Sequence, residues 1–335
     1  MKILIIRFSS IGDIVLTTPV IRCLKNQVDD VEIHYLTKKS YEPVLSANPY
    51  IHQLHFLDAN IQETIDRMLV EDFDMVIDLH HNLRSLRIKN ALKCKSRSFP
   101  KLNLQKWLFT NLKINLLPPI HIVDRYMKTV QELGVKNDGR GLDYFIPGNA
   151  HIQQSDIPAA HQLGYIGLVI GAAHATKRMP LSKLTELVAS IDHPIILLGG
   201  KEDQAQGEIL AALDPIKIYN ACGKFNLNES AGLVEQAKLI ISHDTGLMHI
   251  AAAFHKPIIS VWGNTVPAFG MYPYYGEKNL PARQQPFEIV EIQGLRCRPC
   301  SKIGYDACPK RHFKCMENIP VQQIRQLAQQ LLSGH

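Results

Sequence analysis

The residues best suited to chemistry in this sequence lie in one short stretch, Ser242 to His249. An apolar run, Leu239 to Ile241, precedes the stretch, and good helix formers follow it. This order predicts a buried parallel strand, a tight polar turn and the start of a helix. Free N–H groups and the positive dipole end of such a helix suit an anion such as a pyrophosphate. Alternatively, Asp244 only caps the helix.

A second candidate loop lies near the N-terminus. The apolar residues from Lys2 to Arg7 predict a buried strand, and Phe8 to Asp13 then forms a polar loop that contains a glycine. A helix is predicted to begin near Thr17 and to run to about Gln27. A carboxylate such as that of Asp13 often does no more than cap a helix, and its position alone favours that interpretation.

Strand, loop and helix repeat through both halves of the chain, which predicts an α/β protein with parallel sheets. We expect two doubly wound Rossmann-like domains that face a central cleft, with functional loops after the strands. A polar stretch with several glycines, 139–149, marks the boundary, so the predicted domains are 1–155 and 156–335. Predicted strands lie at 31–36, 53–57, 75–79, 165–170, 195–198, 217–219 and, as the last, 258–262.

Composition narrows the class of protein. The 335 residues are 46% hydrophobic and 20% charged, which argues against global disorder. The first apolar run is broken at once by Arg7, and no long apolar stretch follows, so we expect neither a signal peptide nor a membrane span. A cytoplasmic location follows from this expectation. The seven cysteines are then thiols or metal ligands and not disulfides.

One segment concentrates the positive charge. Between Asp78 and Asp124 there are nine Lys and Arg residues and no acidic residue, although the whole chain has a net charge of only +6. Apolar residues around Trp107 interleave with these cations. Such a segment suits an anionic substrate, an anionic membrane face or nucleic acid, but it also fits a solvated basic face or a helix that covers the sheet.

Two classes of function are disfavoured by missing motifs. No recognised nucleic-acid-binding motif accompanies the basic segment, so we expect no nucleic-acid partner. No G-x-G-x-x-G follows the first predicted strand, which argues against a dehydrogenase.

Cysteines cluster near the C-terminus. Cys297 and Cys300 form a C-x-x-C pair, and Cys308, His312 and Cys315 follow. The spacing resembles that of a structural zinc site, although it is irregular. Reduced and packed thiols are the alternative.

The sequence as a whole resembles a known family, the ADP-heptose:lipopolysaccharide heptosyltransferases of glycosyltransferase family 9. The motifs that carry the resemblance are Arg7 to Pro19 at the start and Asp244 to His249 late in the chain. Shorter matches between them are Asp78-Leu79-His80, Arg84-Ser85, Val123 to Tyr126 and Thr176 to Pro180. The resemblance implies a GT-B fold with an N-terminal acceptor domain and a C-terminal nucleotide-sugar domain.

The resemblance also implies roles for individual residues. The catalytic base falls on Asp13, and the lysine that contacts the donor phosphates falls on Lys177. Donor binding is assigned to Thr176, Glu202 (or its neighbour Asp203), Asp244, Thr245, Gly246 and His249. Acceptor binding is assigned to Ser9, Ser10, Arg84, Ser85 and Arg125. The chain departs from the family's pattern at His81, Asn82 and Met179, and the first two bear on the identity of the acceptor.

The implied reaction is an inverting transfer of heptose from ADP-heptose to a Kdo- or heptose-bearing lipid A. No Asp-x-Asp motif lies in a suitable loop, so we expect a metal-independent enzyme without a cofactor. An anionic glycolipid acceptor implies peripheral contact with the inner face of the cytoplasmic membrane. The alternatives are a related transferase with another nucleotide sugar, or a non-catalytic protein that binds nucleic acid or anions.

Overall fold

The structure is a computed structural model that describes residues 1–276 and 286–333. Within these residues the chain divides into two compact units, and neither unit is one continuous stretch. Unit 1 comprises 1–101, 120–147 and 274–276, and unit 2 comprises 102–119, 148–273 and 286–333. The predicted functional domains 1–155 and 156–335 stay a prediction.

Unit 1 contains a five-stranded sheet in which every neighbouring pair is parallel, in the order β3-β2-β1-β4-β5. Because the order reverses between β1 and β4, the loops that follow these two strands flank the place where open α/β sheets bind ligands. The strands are β1 Lys2–Ile6, β2 Glu32–Thr37, β3 Gln53–Phe56, β4 Met75–Asp78 and β5 Lys95–Ser98.

Unit 2 contains a six-stranded parallel sheet in the order β11-β10-β9-β6-β7-β8. Its order reverses between β6 and β9, so the equivalent ligand position lies beside the loops that follow those strands. The strands are β6 Ile166–Val169, β7 Ile195–Leu198, β8 Ile218–Asn220, β9 Leu239–His243, β10 Ile258–Trp262 and β11 Phe287–Glu291.

Helices connect the strands, as parallel sheets require. They are α1 Ile11–Val15, α2 Thr18–Gln27, α3 Ile61–Val70, α4 Leu83–Leu92, α5 Asn103–Leu112, α6 Ile122–Met127, α7 Leu181–Ser190, α8 Gln204–Ala211, α9 Leu227–Gln236, α10 Gly246–Ala253, α11 Lys314–Glu317 and α12 Val321–Ser333. In the described part of the chain, no helix has both the length and the apolar character that crossing a membrane demands.

Each sheet lies in an apolar core of its own unit. Strands β1 and β4 are almost wholly apolar and buried because helices cover both faces of a parallel sheet. In unit 1, Leu4, Ile6 and Val76 pack with Ile65 and Met68 of α3. Burying one such side chain stabilises the fold by about 1.5–3 kcal/mol, so these contacts hold the loops that follow the strands.

The predicted α/β class with two doubly wound parallel sheets is confirmed, but some elements differ from the prediction. The last predicted strand, 258–262, is β10, and β11 pairs with it further along the chain. Strand β5 has the sequence Lys-Ser-Arg-Ser at a sheet edge, so it carries no apolar signal. The segment after the first strand contains α1, where the sequence predicted only a loop.

Candidate functional site

The loops that follow β1 and β4 form what we call the N-terminal loop cluster, residues 7–13 and 79–85. Arg7 follows β1 directly and is buried. Its Nη1 donates to the Leu79 carbonyl at 2.7 Å and to the Tyr126 hydroxyl at 3.1 Å, and its Nε donates to the Ser9 carbonyl at 2.8 Å. Arg7 therefore ties the two loops together.

Asp13 is held from two sides in this cluster. Its Oδ1 pairs with Arg7 Nη2 at 2.7 Å, and its Oδ2 accepts from the Ser10 hydroxyl at 2.8 Å and the Ser10 N–H at 3.2 Å. The last bond completes a capping box at the start of α1, so Asp13 does cap a helix. Burial opposes ionisation of the carboxyl, but the Arg7 charge and the Ser10 bonds outweigh it and lower the Asp13 pKa. Asp13 is therefore an oriented carboxylate.

The loop after β4 is organised by Asp78, which is fully buried. Its Oδ2 accepts from the Ser85 hydroxyl at 2.8 Å and pairs with Lys89 at 2.9 Å. Ser85, predicted to bind the acceptor, is itself fully buried, so it positions the loop and presents no surface to a ligand. Arg84 is exposed, with its guanidinium 5.8 Å from the centre of the Phe8 ring.

The other predicted acceptor residues also differ in exposure. Ser10 is exposed, and Ser9 is half-buried. Arg125 of α6 is 2% exposed, and its Nη1 donates to the Pro100 carbonyl at 3.4 Å. Burial lowers the Arg125 pKa. Arg125 thus packs inside unit 1, while Ser10 and Arg84 are the predicted acceptor residues with open side chains.

The loops that follow β6 and β9 form what we call the C-terminal loop cluster, residues 171–178 and 244–246. Lys177 ends a short 3-10 turn after β6, and Asp244 directly follows β9. Lys177 Nζ pairs with Asp244 Oδ2 at 2.7 Å, and the Thr265 hydroxyl donates to the same oxygen at 3.0 Å. The pair therefore bridges the two loops at the point of strand-order reversal.

The start of α10 lies beside this ion pair. Thr245 is the N-cap residue, and its side chain makes no capping bond to the helix. Asp244 precedes the N-cap residue and pairs with Lys177. The alternative interpretation from the sequence, that Asp244 only caps the helix, therefore does not hold. The first N–H groups of α10, beginning at Gly246, consequently have no side-chain cap, and such groups favour an anion.

Thr176 and His249, both predicted to bind the donor, are about 2% exposed. The Thr176 hydroxyl accepts from Tyr305 N–H at 2.8 Å, and its own N–H donates to the Tyr305 carbonyl at 3.1 Å. Thr176 therefore anchors the loop that carries Lys177. His249 lies on the second turn of α10, inside unit 2.

The loop after β7 contains two neighbouring acidic residues that differ in exposure. Asp203 is 2% exposed, pairs with Arg178 at 3.0 Å and accepts from Gly200 N–H at 2.9 Å. Glu202 is exposed. Of the two residues between which the predicted donor contact is uncertain, Glu202 is the one that a ligand can reach.

The basic segment does not act as one surface. Lys89 pairs with Asp78, and Lys95 and Arg97 pair with Glu132 at 3.3 Å and 2.5 Å. Lys113 donates to the Pro299 carbonyl at 2.7 Å in unit 2. The exposed cations Arg84 and Arg87 of α4 instead lie among exposed leucines, Leu83 at 80% and Leu86 at 43%.

No three of the four clustered cysteines bring their sulfur atoms within 4.8 Å of one another. Two groups of three metal-ligating side chains occur among the described residues with donor atoms within 4.8 Å of one another, and neither contains a cysteine. Burial is the main cause that raises the pKa of Cys300 to about 11 and that of Cys315 to about 12. The predicted zinc at Cys297, Cys300, Cys308 and Cys315 therefore has no support from the donor-atom geometry.

Several positioning residues have no local signal in the sequence. Thr265 follows β10, so its place at the sheet edge follows from the strand order once that order is known. Tyr305 lies 129 residues from its partner Thr176, and no spacing rule connects them. His243 accepts from Met179 N–H at 3.0 Å, and burial lowers its pKa to about 4, so it holds the lysine loop as a neutral ring.

Comparison with known proteins gives a consistent result. Residues 63–283 match the model of glycosyltransferase family 9 (heptosyltransferase). Lipooligosaccharide heptosyltransferase 2 of Haemophilus influenzae is 26% identical over 318 residues, which cover 88% of this chain and 91% of that one.

Two solved structures share the fold. A glycosyl transferase family 9 protein from Veillonella parvula has a TM-score of 0.77 at 21% identity, over 100% of this chain and 98% of its own. The ADP-heptose lps heptosyltransferase II of E. coli has a TM-score of 0.72 at 18% identity, over 100% of this chain and 99% of its own.

Proposed function

This chain belongs to glycosyltransferase family 9, the heptosyltransferase family, and we propose that it moves heptose from ADP-heptose to a Kdo- or heptose-bearing lipid A. The observation that carries the proposal is the C-terminal loop cluster. There a lysine and a helix start without a side-chain cap lie side by side where an α/β sheet binds ligands. This combination suits the pyrophosphate of a nucleotide sugar.

The proposed chemistry divides between the two loop clusters. A hydroxyl of the acceptor attacks the anomeric carbon of the donor sugar, and its proton passes to the Asp13 carboxylate. The bond between that carbon and the pyrophosphate oxygen breaks, and ADP leaves with the electron pair. Lys177 and the first N–H groups of α10 stabilise the charge that develops on the leaving group.

Donor identity is tested by thermal shift with a panel of ADP-, UDP- and GDP-sugars. A ligand that binds only the folded state at about 100 times its Kd stabilises it by about 2.7 kcal/mol. We expect selective stabilisation by ADP and ADP-heptose. Stabilisation by a UDP- or GDP-sugar instead would replace ADP-heptose by another donor and leave the class of reaction unchanged.

Metal independence is tested by chelation. The charges that would neutralise the leaving group are supplied by Lys177 and α10, so the reaction needs no divalent ion in this account. Enzyme treated with EDTA and then freed of it should keep its full transfer rate. A rate that collapses and returns only with Mg²⁺ would show that the protein charges are insufficient.

Contact with an anionic membrane is proposed for the outer face of α4. That face combines exposed Leu83 and Leu86 with exposed Arg84 and Arg87. Cations near an anionic leaflet gain roughly 1 kcal/mol each, and exposed leucines add apolar contact.

The test reverses Arg87 and Lys93, the exposed residue that caps the C-terminus of α4, to Glu. Binding is measured to vesicles with and without anionic lipid. The matched control reverses Lys128 and Lys136, which are exposed elsewhere on unit 1. Binding should fall for the first pair only. An equal loss of vesicle binding in both double variants would mean that binding depends only on the net charge of the protein. No loss in either would mean that α4 is a solvated face without a membrane role.

A further inference from the structure

His34 of β2 presents a buried ring nitrogen that has no hydrogen-bond partner among the described residues. The side chain is 1% exposed, and the unpartnered atom is Nε2. The ring is fixed on the other side, because its Nδ1 lies 2.8 Å from His55 Nε2 and Phe73 packs edge-on at 5.2 Å. A buried polar atom left unpaired is destabilising, and a bound ligand would relieve that cost.

Two further metal-ligating side chains face this nitrogen. Glu32 Oε2 lies 3.9 Å from His34 Nε2, beyond hydrogen-bond range, and the His52 ring centre lies 5.4 Å from that of His34. One donor atom from each of Glu32, His34 and His52 lies within 4.8 Å of the other two. Glu32 and His34 are two residues apart on β2, so they share a face of the sheet, and His52 directly precedes β3.

We propose that Glu32, His34 and His52 bind a divalent transition-metal ion of the zinc class. Imidazole and carboxylate are the usual nitrogen and oxygen ligands of zinc, at about 2.0–2.2 Å. Two imidazoles on one tetrahedral ion have ring centres about 5 Å apart, close to the spacing of His34 and His52. The donor atoms must draw together by roughly 1 Å, and the exposed side chains of Glu32 and His52 are free to do so.

The hydrogen bond to His55 supports this choice of donor atom. A ligating histidine usually donates its second ring N–H to a neighbouring acceptor, which fixes the tautomer. If His34 Nδ1 donates to His55, the His34 Nε2 lone pair points at Glu32 and His52 and is free to bind a cation. The second group, His34 with His55 and Glu71, is less suitable because the Nδ1 is already bonded and Glu71 pairs with Lys2 at 3.2 Å.

The site lies away from the candidate catalytic loops of unit 1. Those loops follow the C-terminal ends of β1 and β4, whereas Glu32 begins β2 and His52 precedes β3, which pairs only with β2. A bound ion would fasten the edge strand β3 to the sheet. Its expected effect is on stability and not on transfer.

The experiment uses the untagged full chain, stripped with EDTA, freed of it and then titrated with Zn²⁺ or Co²⁺. Bound metal is measured by mass spectrometry after dialysis, and stability is measured by thermal unfolding. His52→Gln and Glu32→Gln remove exposed ligands and should preserve the fold. The controls are His151→Gln, another exposed histidine, and the double variant Cys297→Ser/Cys300→Ser.

We expect one zinc per chain in the wild type and in both controls, with a higher melting temperature when zinc is bound. His52→Gln and Glu32→Gln should each bind zinc at least about tenfold more weakly and lose the thermal shift. Bound Co²⁺ should show no thiolate charge-transfer band. The proposal is overturned by no saturable binding, by equal binding in His52→Gln and wild type, or by a loss confined to the cysteine variant.

Discussion

The two loop clusters each hold a cation paired with a carboxylate, but the pairs are built differently. In unit 1, Arg7 and Asp13 belong to one continuous segment, in which Arg7 follows β1 and Asp13 lies on α1, and Arg7 also donates to two carbonyls and a tyrosine hydroxyl. In unit 2, Lys177 and Asp244 come from loops after different strands, and the described polar contacts of Lys177 Nζ all go to Asp244.

This difference indicates what each pair does. Arg7 is fixed by several acceptors, so it orients the Asp13 carboxylate and lowers its pKa, as the proposed role of Asp13 as proton acceptor requires. Lys177 has three donors on a flexible stem and one partner residue, so an arriving phosphate can share it or replace that partner. One pair is suited to hold a carboxylate still, and the other to exchange an anion.

The largest expected effect comes from removing the oriented carboxylate. Asp13→Asn should lower the transfer rate by about 10² to 10⁴-fold, because a positioned general base contributes on that order, and should leave ADP affinity unchanged. Steady-state rates and ADP titration measure both. The control is Asp58→Asn, which removes an ion pair with Arg67 elsewhere in unit 1 and should leave the rate unchanged. A wild-type rate in Asp13→Asn would make Asp13 a helix cap only.

The next effect concerns the exchangeable cation. Lys177→Ala should weaken ADP binding by roughly 10- to 100-fold, since a hydrogen bond to a charged group contributes about 1.5–3 kcal/mol. Calorimetric titration of ADP measures the change. Lys183→Ala, which removes a lysine paired with Glu186 on α7, should bind ADP like the wild type. Unchanged ADP affinity in Lys177→Ala would place the phosphates elsewhere.

A smaller effect should follow from Asp244→Ala, which removes the carboxylate that positions Lys177 and Thr265. ADP binding should weaken by less than in Lys177→Ala. Because the two side chains are in contact, the double variant should bind ADP no worse than Lys177→Ala alone. Additive losses would mean that Asp244 contacts the donor independently of Lys177.

The smallest effect is a shift in pH dependence. In the proposed mechanism Asp13 accepts a proton only when it is ionised, so activity should persist above the Asp13 pKa and be lost as the pH falls through it. That pKa lies below its ordinary value of 3.8, and the Ser10 hydroxyl is one of the causes. Ser10→Ala should therefore raise the pH at which kcat/KM falls. Ser9→Ala, whose side chain gives Asp13 no bond, should leave that pH unchanged; an equal shift would refute the assignment.

The sequence predicts the strands that deliver both clusters because those strands are apolar and short. Strand β9 and the start of α10 are predicted correctly from apolar residues followed by a polar turn. The edge strand β5 is harder to predict, because its residues are polar and it becomes a strand only through its pairing with β4. Sequence spacing also could not show that 102–119 folds with unit 2, since this depends on contacts distant along the chain.

Residue type predicts the site less completely than the fold. Ser85 and Arg125 have types that suit an acceptor, yet both are buried, and burial depends on long-range packing. The sequence left open that Asp13 only caps a helix, and the structure shows that Asp13 completes a capping box with Ser10 while it pairs with Arg7. Capping and a catalytic role are therefore compatible at this position.

Heptosyl transfer itself is tested by an assay with the full chain, ADP-heptose and Kdo- or heptose-bearing lipid A. Product is followed by mass spectrometry, and the anomeric configuration is read by NMR. We predict a heptosylated lipid of inverted configuration with wild-type enzyme, and a rate lower by about 10² to 10⁴-fold with Asp13→Asn. Product of retained configuration, or transfer from another nucleotide sugar but not from ADP-heptose, would contradict the account.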